Sequence, residues 1–271
     1  MSCYFENYVN SPKLLCIKSD LSTVSFASFW QDVAEQQAQI EQLETEVWAL
    51  WEQDSYEFLV LLFAALNAKK QVLLPPNRIS DLEKELAEQN IYFLTRQTLQ
   101  FEASQNFLKF DQNFLEQSSV YFYTSGSTGQ PKKIPRTLAQ LLNEVAGLNE
   151  SFELPEQAIA IATVSHQHIY GLLFKLLWPL ASGRGFYQNQ VAFPEDVVDV
   201  EKKIAHFNIE NYVISSPALL KRWTTDVVLQ DCITVYSSGG KLDSGIRPFV
   251  NVPITEVFGS SETGGIAHRQ E

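Results

Sequence analysis

Tyr123-Thr124-Ser125-Gly126-Ser127-Thr128-Gly129-Gln130-Pro131-Lys132-Lys133 follows an apolar, aromatic run, residues 120–123, that reads as a buried strand. Within the stretch stand four small hydroxyl residues, two glycines and two lysines. Small residues let a backbone turn tightly and come close to a ligand. Such a turn offers N–H groups and hydroxyls to one anion, and a lysine adds a point charge. The combination suits a polyphosphate. Residues 138–148 read as a helix, whose positive N-terminal end is expected near the loop. The pattern differs from a Walker loop, because Gly126 and Gly129 are three apart and Pro131 separates the second glycine from Lys132. A Gly/Ser-rich string alone also describes a flexible linker. The strand in front and the Pro131-Lys132 pair behind favour the anion loop.

Outward from this loop, strand-like and helix-like segments alternate. Upstream, residues 28–43 carry Phe29, Val33, Ile40 and Leu43 at helical spacing among Gln and Glu. Residues 46–51 read as a strand, 55–68 as a largely buried helix, and 71–74 as a strand stopped by Pro75-Pro76. Ser80, with Glu83 three residues on, has the spacing of a capping box. Residues 91–94 read as a further strand. Downstream, strands are expected at 158–164, 185–187, 212–215, 233–237 and 254–258. Helices are expected at 169–180 and 197–206 and from Pro217 to Trp223. This alternation predicts an α/β fold with parallel sheets covered on both faces. The polar segment 101–117 is a candidate division between two lobes.

With 271 residues, 45% of them hydrophobic, the chain is long enough for a sizeable core. A net charge of -12 and a pI near 4.8 argue against a general nucleic-acid binder, while a few lysines in a cleft still suffice for a nucleotide. Cys3, Cys16 and Cys232 are scattered and odd in number, which fits reduced thiols rather than a disulfide framework. The N-terminus lacks a signal-peptide pattern, and the longest apolar run, 58–66, is short of a membrane span. The expectation is a cytoplasmic protein with no membrane partner.

Three further strings carry chemistry. Val257-Phe258-Gly259-Ser260-Ser261-Glu262-Thr263-Gly264-Gly265 is a strand end opening into a glycine-rich loop, the place where open α/β sheets bind ligands. Its Glu262 is a hard oxygen ligand suited to Mg²⁺, and Ser261 can donate a hydroxyl to phosphate. Tyr236-Ser237-Ser238-Gly239-Gly240-Lys241-Leu242 is again a strand running into glycines, and alone reads as an ordinary turn. Ser165-His166-Gln167-His168-Ile169-Tyr170-Gly171 opens a helix, and no third ligand close in sequence completes a metal set around its two histidines. There is no Gly-x-Ser-x-Gly elbow and no dinucleotide fingerprint.

The phosphate-loop string resembles, nearly letter for letter, that of the adenylate-forming enzymes: acyl- and aryl-CoA synthetases, luciferases and the adenylation domains of peptide synthetases. The Glu262 string resembles that family's aromatic-Gly-x-Thr-Glu hallmark, with Phe258 as the aromatic residue and Ser261 in place of threonine. A family histidine three residues before a glycine is matched by His168 and Gly171, and not by His166.

The resemblance implies two stacked parallel-sheet lobes with the ligand cleft between them. It implies ATP-dependent activation of a carboxylic acid to an acyl-adenylate, with ATP and Mg²⁺ as cofactors and coenzyme A or an acyl-carrier protein as the thiol acceptor. Thr124, Ser125, Ser127, Thr128 and Lys132 would hold the β- and γ-phosphates on a loop turned by Gly126 and Gly129. Glu262 would hold magnesium. Ser261, with Gly259 and Ser260 beside it, would sit at the α-phosphate. Gly239, Gly240 and Lys241 would lie along the nucleotide with Phe258 near the base. His168, Gly171 and Gly239 would line the carboxylate pocket. Lys132, Glu262 and His168 would be the catalytic groups.

Family members continue further, with an Asp for the ribose hydroxyls and a C-terminal lid domain bearing a lysine. No residue here matches either, and Glu271 stands nine residues after Glu262. Residues 1–271 are therefore expected to form the N-terminal core of an adenylation domain without its lid. The alternative is a shortened, non-catalytic module that binds nucleotide or acyl-adenylate.

Overall fold

A computed structural model describes residues 5–99, 113–124 and 132–270. In chain order its elements are β1 (Leu14–Ile17), β2 (Thr23–Ser25), α1 (Phe26–Ile40), β3 (Val47–Ala49), α2 (Ser55–Asn67), β4 (Gln71–Leu74), α3 (Ser80–Glu88) and β5 (Tyr92–Phe93). There follow α4 (Phe114–Gln117), β6 (Ser119–Thr124), β7 (Lys132–Thr137), α5 (Leu138–Ser151), β8 (Ile159–Ala162), α6 (Ile169–Gly171), a π-helical segment (Leu172–Leu177) and α7 (Trp178–Ser182). The remainder is β9 (Gly185–Gln190), α8 (Pro194–Ile204), β10 (Asn211–Ser215), α9 (Pro217–Leu220), β11 (Cys232–Ser237), β12 (Ile254–Ser260) and β13 (Gly264–Gln270).

The chain divides into two compact units, and the last long crossing between them falls inside α5, after Asn143. Each unit is built on one sheet. Of the segment 101–117, only residues 113–117 are described, and they belong to the first unit.

The first unit holds a five-stranded sheet in the order β5-β3-β4-β6-β7. Its pairs are parallel except β6 with β7. Helix α2 is apolar nearly all round and is buried along its whole length except at Glu57. Its N-terminus is held by Asp54, whose carboxylate accepts the Tyr56 and Glu57 N–H groups at 2.9 and 3.2 Å. Helices α1 and α2 meet through Phe5, Phe29, Trp30 and Phe63, with edge-on ring contacts such as Trp30–Phe63 at 5.3 Å.

The second unit holds an eight-stranded sheet in the order β13-β12-β11-β10-β8-β9-β1-β2. Pairs from β12 across to β1 are parallel, and β12 with β13 is antiparallel. Alternation along the strands sends Val213, Val235 and Ile254 into an aliphatic core with Val197, Val200 and Trp223 of the covering segments. Neighbouring Tyr212 and Tyr236 point the other way, onto Phe174 and Trp178 at 5.3–5.7 Å. Lys175 of the π-helical segment is fully buried there and donates to the Gln188 carbonyl at 3.0 Å. Among the described residues no helix is long and apolar enough to cross a membrane.

The α/β expectation holds, with three corrections. Both sheets are mixed rather than purely parallel, because β7 and β13 return as antiparallel edges. Two early strands, β1 and β2, belong to the second unit's sheet, β1 pairing Cys16 with Phe186. Ser80 is the first helical residue rather than the cap. The cap is Ile79, with no side-chain bond, and the Glu83 carboxylate is taken by Arg78 Nε at 2.6 Å.

Candidate active site

The hydroxyl-rich loop is carried by the β6–β7 hairpin of the first unit. Its register sets Thr124 opposite Lys132, so these two residues form the mouth of the loop. Ser125, Gly126, Ser127, Thr128 and Gly129 lie outside the described residues. Lys132 is exposed at the mouth. Its neighbour Lys133 is turned to the other side, where Nζ donates to Gln89 Oε1 at 2.9 Å and lies 5.9 Å from the centre of the Tyr123 ring. Alternation along a strand separates the two lysines in this way. Pro135 is tolerated because β7 is an edge strand.

The helix after the loop does not point its N-terminus at the loop mouth. Leu138, its first residue, bonds Ser118 at the far end of the hairpin, where Ser119 pairs with Thr137. Five extended residues separate that end from Lys132, roughly 17 Å at the usual rise of a strand. The positive end of α5 therefore adds nothing at Lys132, since such effects fade within a turn.

In the second unit the C-terminal ends of β8, β10, β11 and β12 stand side by side in the sheet. Hydroxyls stitch them together. Thr163 Oγ1, just after β8, donates to Ser215 Oγ at 3.0 Å, and Ser238 Oγ, just after β11, donates to the Val257 carbonyl of β12 at 2.8 Å. Between them the Ser237 hydroxyl is buried with no hydrogen-bond partner among the described residues. Gly239 follows in the left-handed region, φ 87°, where a side chain would be strained. Gly239, Gly240 and Lys241 are exposed on this turn.

Beside it lies the turn that carries Glu262. The Ser260 Oγ accepts the N–H groups of Glu262 and Thr263, both at 3.2 Å, and sits 3.0 Å from Thr263 Oγ1. Ser260 thus spends its hydroxyl inside the turn. Phe258 and Glu262 are exposed and Ser261 is half-buried. Gly259 is required by close approach, because a Cβ there would stand 2.5 Å from the Gly264 carbonyl oxygen. An exposed carboxylate on a backbone fixed by its own turn fits a hard divalent cation, which takes oxygen ligands and retains several waters.

His168 and Gly171 are separated by the division between units, His168 falling in the first and Gly171 in the second. His168 is exposed, and the partial loss of water around its ring lowers its pKa from the ordinary 6.5, so the neutral ring dominates at pH 7. His166 is buried. Gly171 is needed for packing, since a Cβ would lie 2.1 Å from the Ser165 carbonyl oxygen.

Sequence reasoning missed Glu256 and Glu144. Glu256 is buried in β12 and accepts Arg269 at 2.6 Å, Arg247 at 2.7 Å and the Leu242 N–H at 3.2 Å. It ties the segment after Lys241 to the hairpin that bears Glu262. A carboxylate among Ile254, Val257 and Phe258 of a strand is a visible signal. Glu144 of α5 accepts the Gly265 N–H at 3.0 Å, and nothing in the sequence marks it.

Residues 70–271 match the family described as AMP-binding enzyme. A 4-coumarate–CoA ligase from Rhodobacter capsulatus is 28% identical over 162 residues, which are 57% of this chain and 40% of that protein. A 3,4-dihydroxybenzoate–[aryl-carrier protein] ligase from Bacillus anthracis is 29% identical over 153 residues, 55% of this chain and 36% of that protein. The chain thus spans well under half the length of these curated relatives. Among solved structures, the fold matches O-succinylbenzoate coenzyme A synthetase from Bacillus subtilis in complex with AMP. The TM-score is 0.77 at 17% identity, over 96% of this chain and 74% of the other. The same enzyme with ATP and magnesium ion matches at a TM-score of 0.75, 17% identity, over 98% of this chain and 61% of the other.

Proposed function

The chain belongs to the AMP-binding enzyme family, and from that premise we propose that it carries the nucleotide- and acid-binding core of an adenylate-forming acid–thiol ligase. The carboxylate oxygen of the acid attacks the α-phosphorus of ATP, and the bond to the pyrophosphate oxygen breaks. The products are an acyl-adenylate and pyrophosphate. A thiol then takes the acyl group and releases AMP. Relatives named for coenzyme A and for an aryl-carrier protein support either thiol as acceptor. Such transfers need positioning and charge neutralisation more than covalent chemistry from the protein.

The observation that carries this reading is the exposed Lys132 opposite Thr124 at the mouth of the hydroxyl-rich loop. In it Thr124, Ser125, Ser127, Thr128 and Lys132 hold the β- and γ-phosphates, with Gly126 and Gly129 shaping the loop. Glu262 holds Mg²⁺, which when bound neutralises phosphate charge. Ser261 donates to the α-phosphate, flanked by Gly259 and Ser260. Gly239, Gly240 and Lys241 follow the nucleotide, and Phe258 offers its exposed ring to the base. His168, Gly171 and Gly239 receive the acid, with the neutral His168 as a hydrogen-bond partner for its carboxylate. The buried thiols of Cys16 and Cys232 support a reducing, cytoplasmic setting.

Exchange of labelled pyrophosphate into ATP, measured with the full chain and a panel of aliphatic and aromatic acids, tests the proposal. We expect exchange that requires both an acid and Mg²⁺. A folded chain that binds ATP and exchanges with no acid would contradict acid activation by this chain and favour a nucleotide-binding module.

A further inference from the structure

We infer that Glu144 is a positioning residue that fixes the turn bearing Glu262. This rests on the reading of Glu262 as the magnesium ligand. The turn between β12 and β13 is held at two ends. At the first, Ser260 Oγ gathers the Glu262 and Thr263 N–H groups. At the second, Glu144 Oε2 accepts the Gly265 N–H at 3.0 Å, a charge-assisted bond reaching from α5 across 121 positions of sequence. Glu262 lies between these anchors, with its own side chain exposed.

Gly264 shows how closely Glu144 is built into the turn. It is buried, with φ 74°, and a Cβ there would lie 2.2–2.5 Å from the three atoms of the Glu144 carboxyl group. The carboxylate therefore occupies the place of the missing side chain. Any residue other than glycine would both strain the backbone and push the carboxylate off the Gly265 N–H. Gly259 closes the same structure from the other strand, against the Gly264 carbonyl. The strand after Gly264 is exposed along its length, and the turn's further support is the β12–β13 ladder and, towards the end of β13, the Glu256–Arg269 pair. Removing Glu144 takes away the anchor that reaches the turn from α5 and leaves the Ser260 bonds and the strand pairing. The Glu262 carboxylate then has more conformations to lose when it binds a cation. Groups that orient a metal ligand are typically worth about 10- to 100-fold in metal affinity.

The test is calorimetric titration of the full chain with ATP at stepped Mg²⁺ concentrations, alongside hydrogen exchange of residues 259–265 without metal. For Glu144→Ala we expect the Mg²⁺ concentration supporting half-maximal ATP affinity to rise about 10-fold, and the turn to exchange faster. Affinity for ATP in EDTA stays at the wild-type level. Glu144→Gln keeps both the bulk and an acceptor oxygen and restores most of both properties, whereas Glu144→Met keeps the bulk without the acceptor and restores neither. Gly264→Ala, which displaces the carboxylate without removing it, reproduces Glu144→Ala and serves if that variant does not fold. Glu262→Gln is the reference. If it loses Mg²⁺ dependence and Glu144→Ala and Gly264→Ala do not, the inference is overturned and the Glu262 reading stands. If Glu262→Gln keeps wild-type Mg²⁺ dependence, the Glu262 reading itself fails and the inference with it.

Discussion

Glu256 and Arg269 face each other across the β12–β13 ladder, and their side chains meet at 2.6 Å, with Glu256 buried and Arg269 half-exposed. The same Glu256 oxygen accepts Arg247. Burial alone would raise this carboxyl, but the bonds from Arg269, the Leu242 N–H and Arg247 outweigh it and hold the pKa below the ordinary 4.5. The hairpin bearing Glu262 is thus pinned by one buried anion.

Removing that anion should be costly. Glu256→Ala takes the carboxylate away from Arg247, itself mostly buried, whose charge is then left with the Ile254 carbonyl. Stripping one member from a buried pair typically costs about 3–5 kcal/mol, so we expect a markedly lower midpoint in urea. Arg269→Ala removes a half-exposed partner and should cost about 0.2–1 kcal/mol.

The same group gives a pH dependence. Its folded pKa lies below its unfolded one, so the unfolded chain takes up the proton first as acid is added. The contribution is complete above the ordinary value of 4.5 and disappears as pH falls through the depressed folded value. Acid titration of the urea midpoint should show a wild-type slope in this window that Glu256→Gln lacks.

His168 should titrate below 6.5, because the folded chain disfavours its charged form. Stability from this group is present above 6.5 and declines as pH falls through the lowered value. Ring-proton NMR on wild type and His168→Gln reads its pKa directly. A value at or above 6.5 would remove the basis for a neutral ring at the acid carboxylate.

Gly171→Ala tests a packing role. The added methyl would meet backbone, the Ser165 carbonyl, rather than a flexible side chain. Overpacking of this kind costs about 1–3 kcal/mol, visible as a lower thermal midpoint. Ser237→Ala should do the opposite. It deletes a buried hydroxyl that lacks a partner among the described residues, so the unliganded protein should hold its midpoint or gain about 1 kcal/mol.

Much of the fold was legible because local pattern and tertiary environment agree. The run 71–74 before Pro75 is β4, the apolar stretch 55–68 is α2, and the apolar runs near 159, 211 and 254 are β8, β10 and β12. The elements that escaped are those whose pairing is distant or whose face is exposed. Leu14–Ile17 becomes a strand only because β9 lies beside it. Lys132–Thr137 is charged, contains Pro135 and joins as an edge, so it shows no period-two apolar pattern. Helix α5 starts at Leu138 as read, but missing β7 hid the strand that carries this N-terminus away from the loop. In the candidate site, glycines and hydroxyls were legible as motifs, whereas Glu144 acts through a backbone N–H far along the chain and leaves no sequence signature.

The most direct test of nucleotide binding is calorimetric titration of the chain with Mg-ATP beside Lys132→Ala. We expect measurable binding by the wild type and at least a roughly tenfold loss in the variant, the scale of one charged hydrogen bond to phosphate. Equal affinity in the two proteins, or no binding by a wild type shown to be folded, would contradict a phosphate site at Lys132.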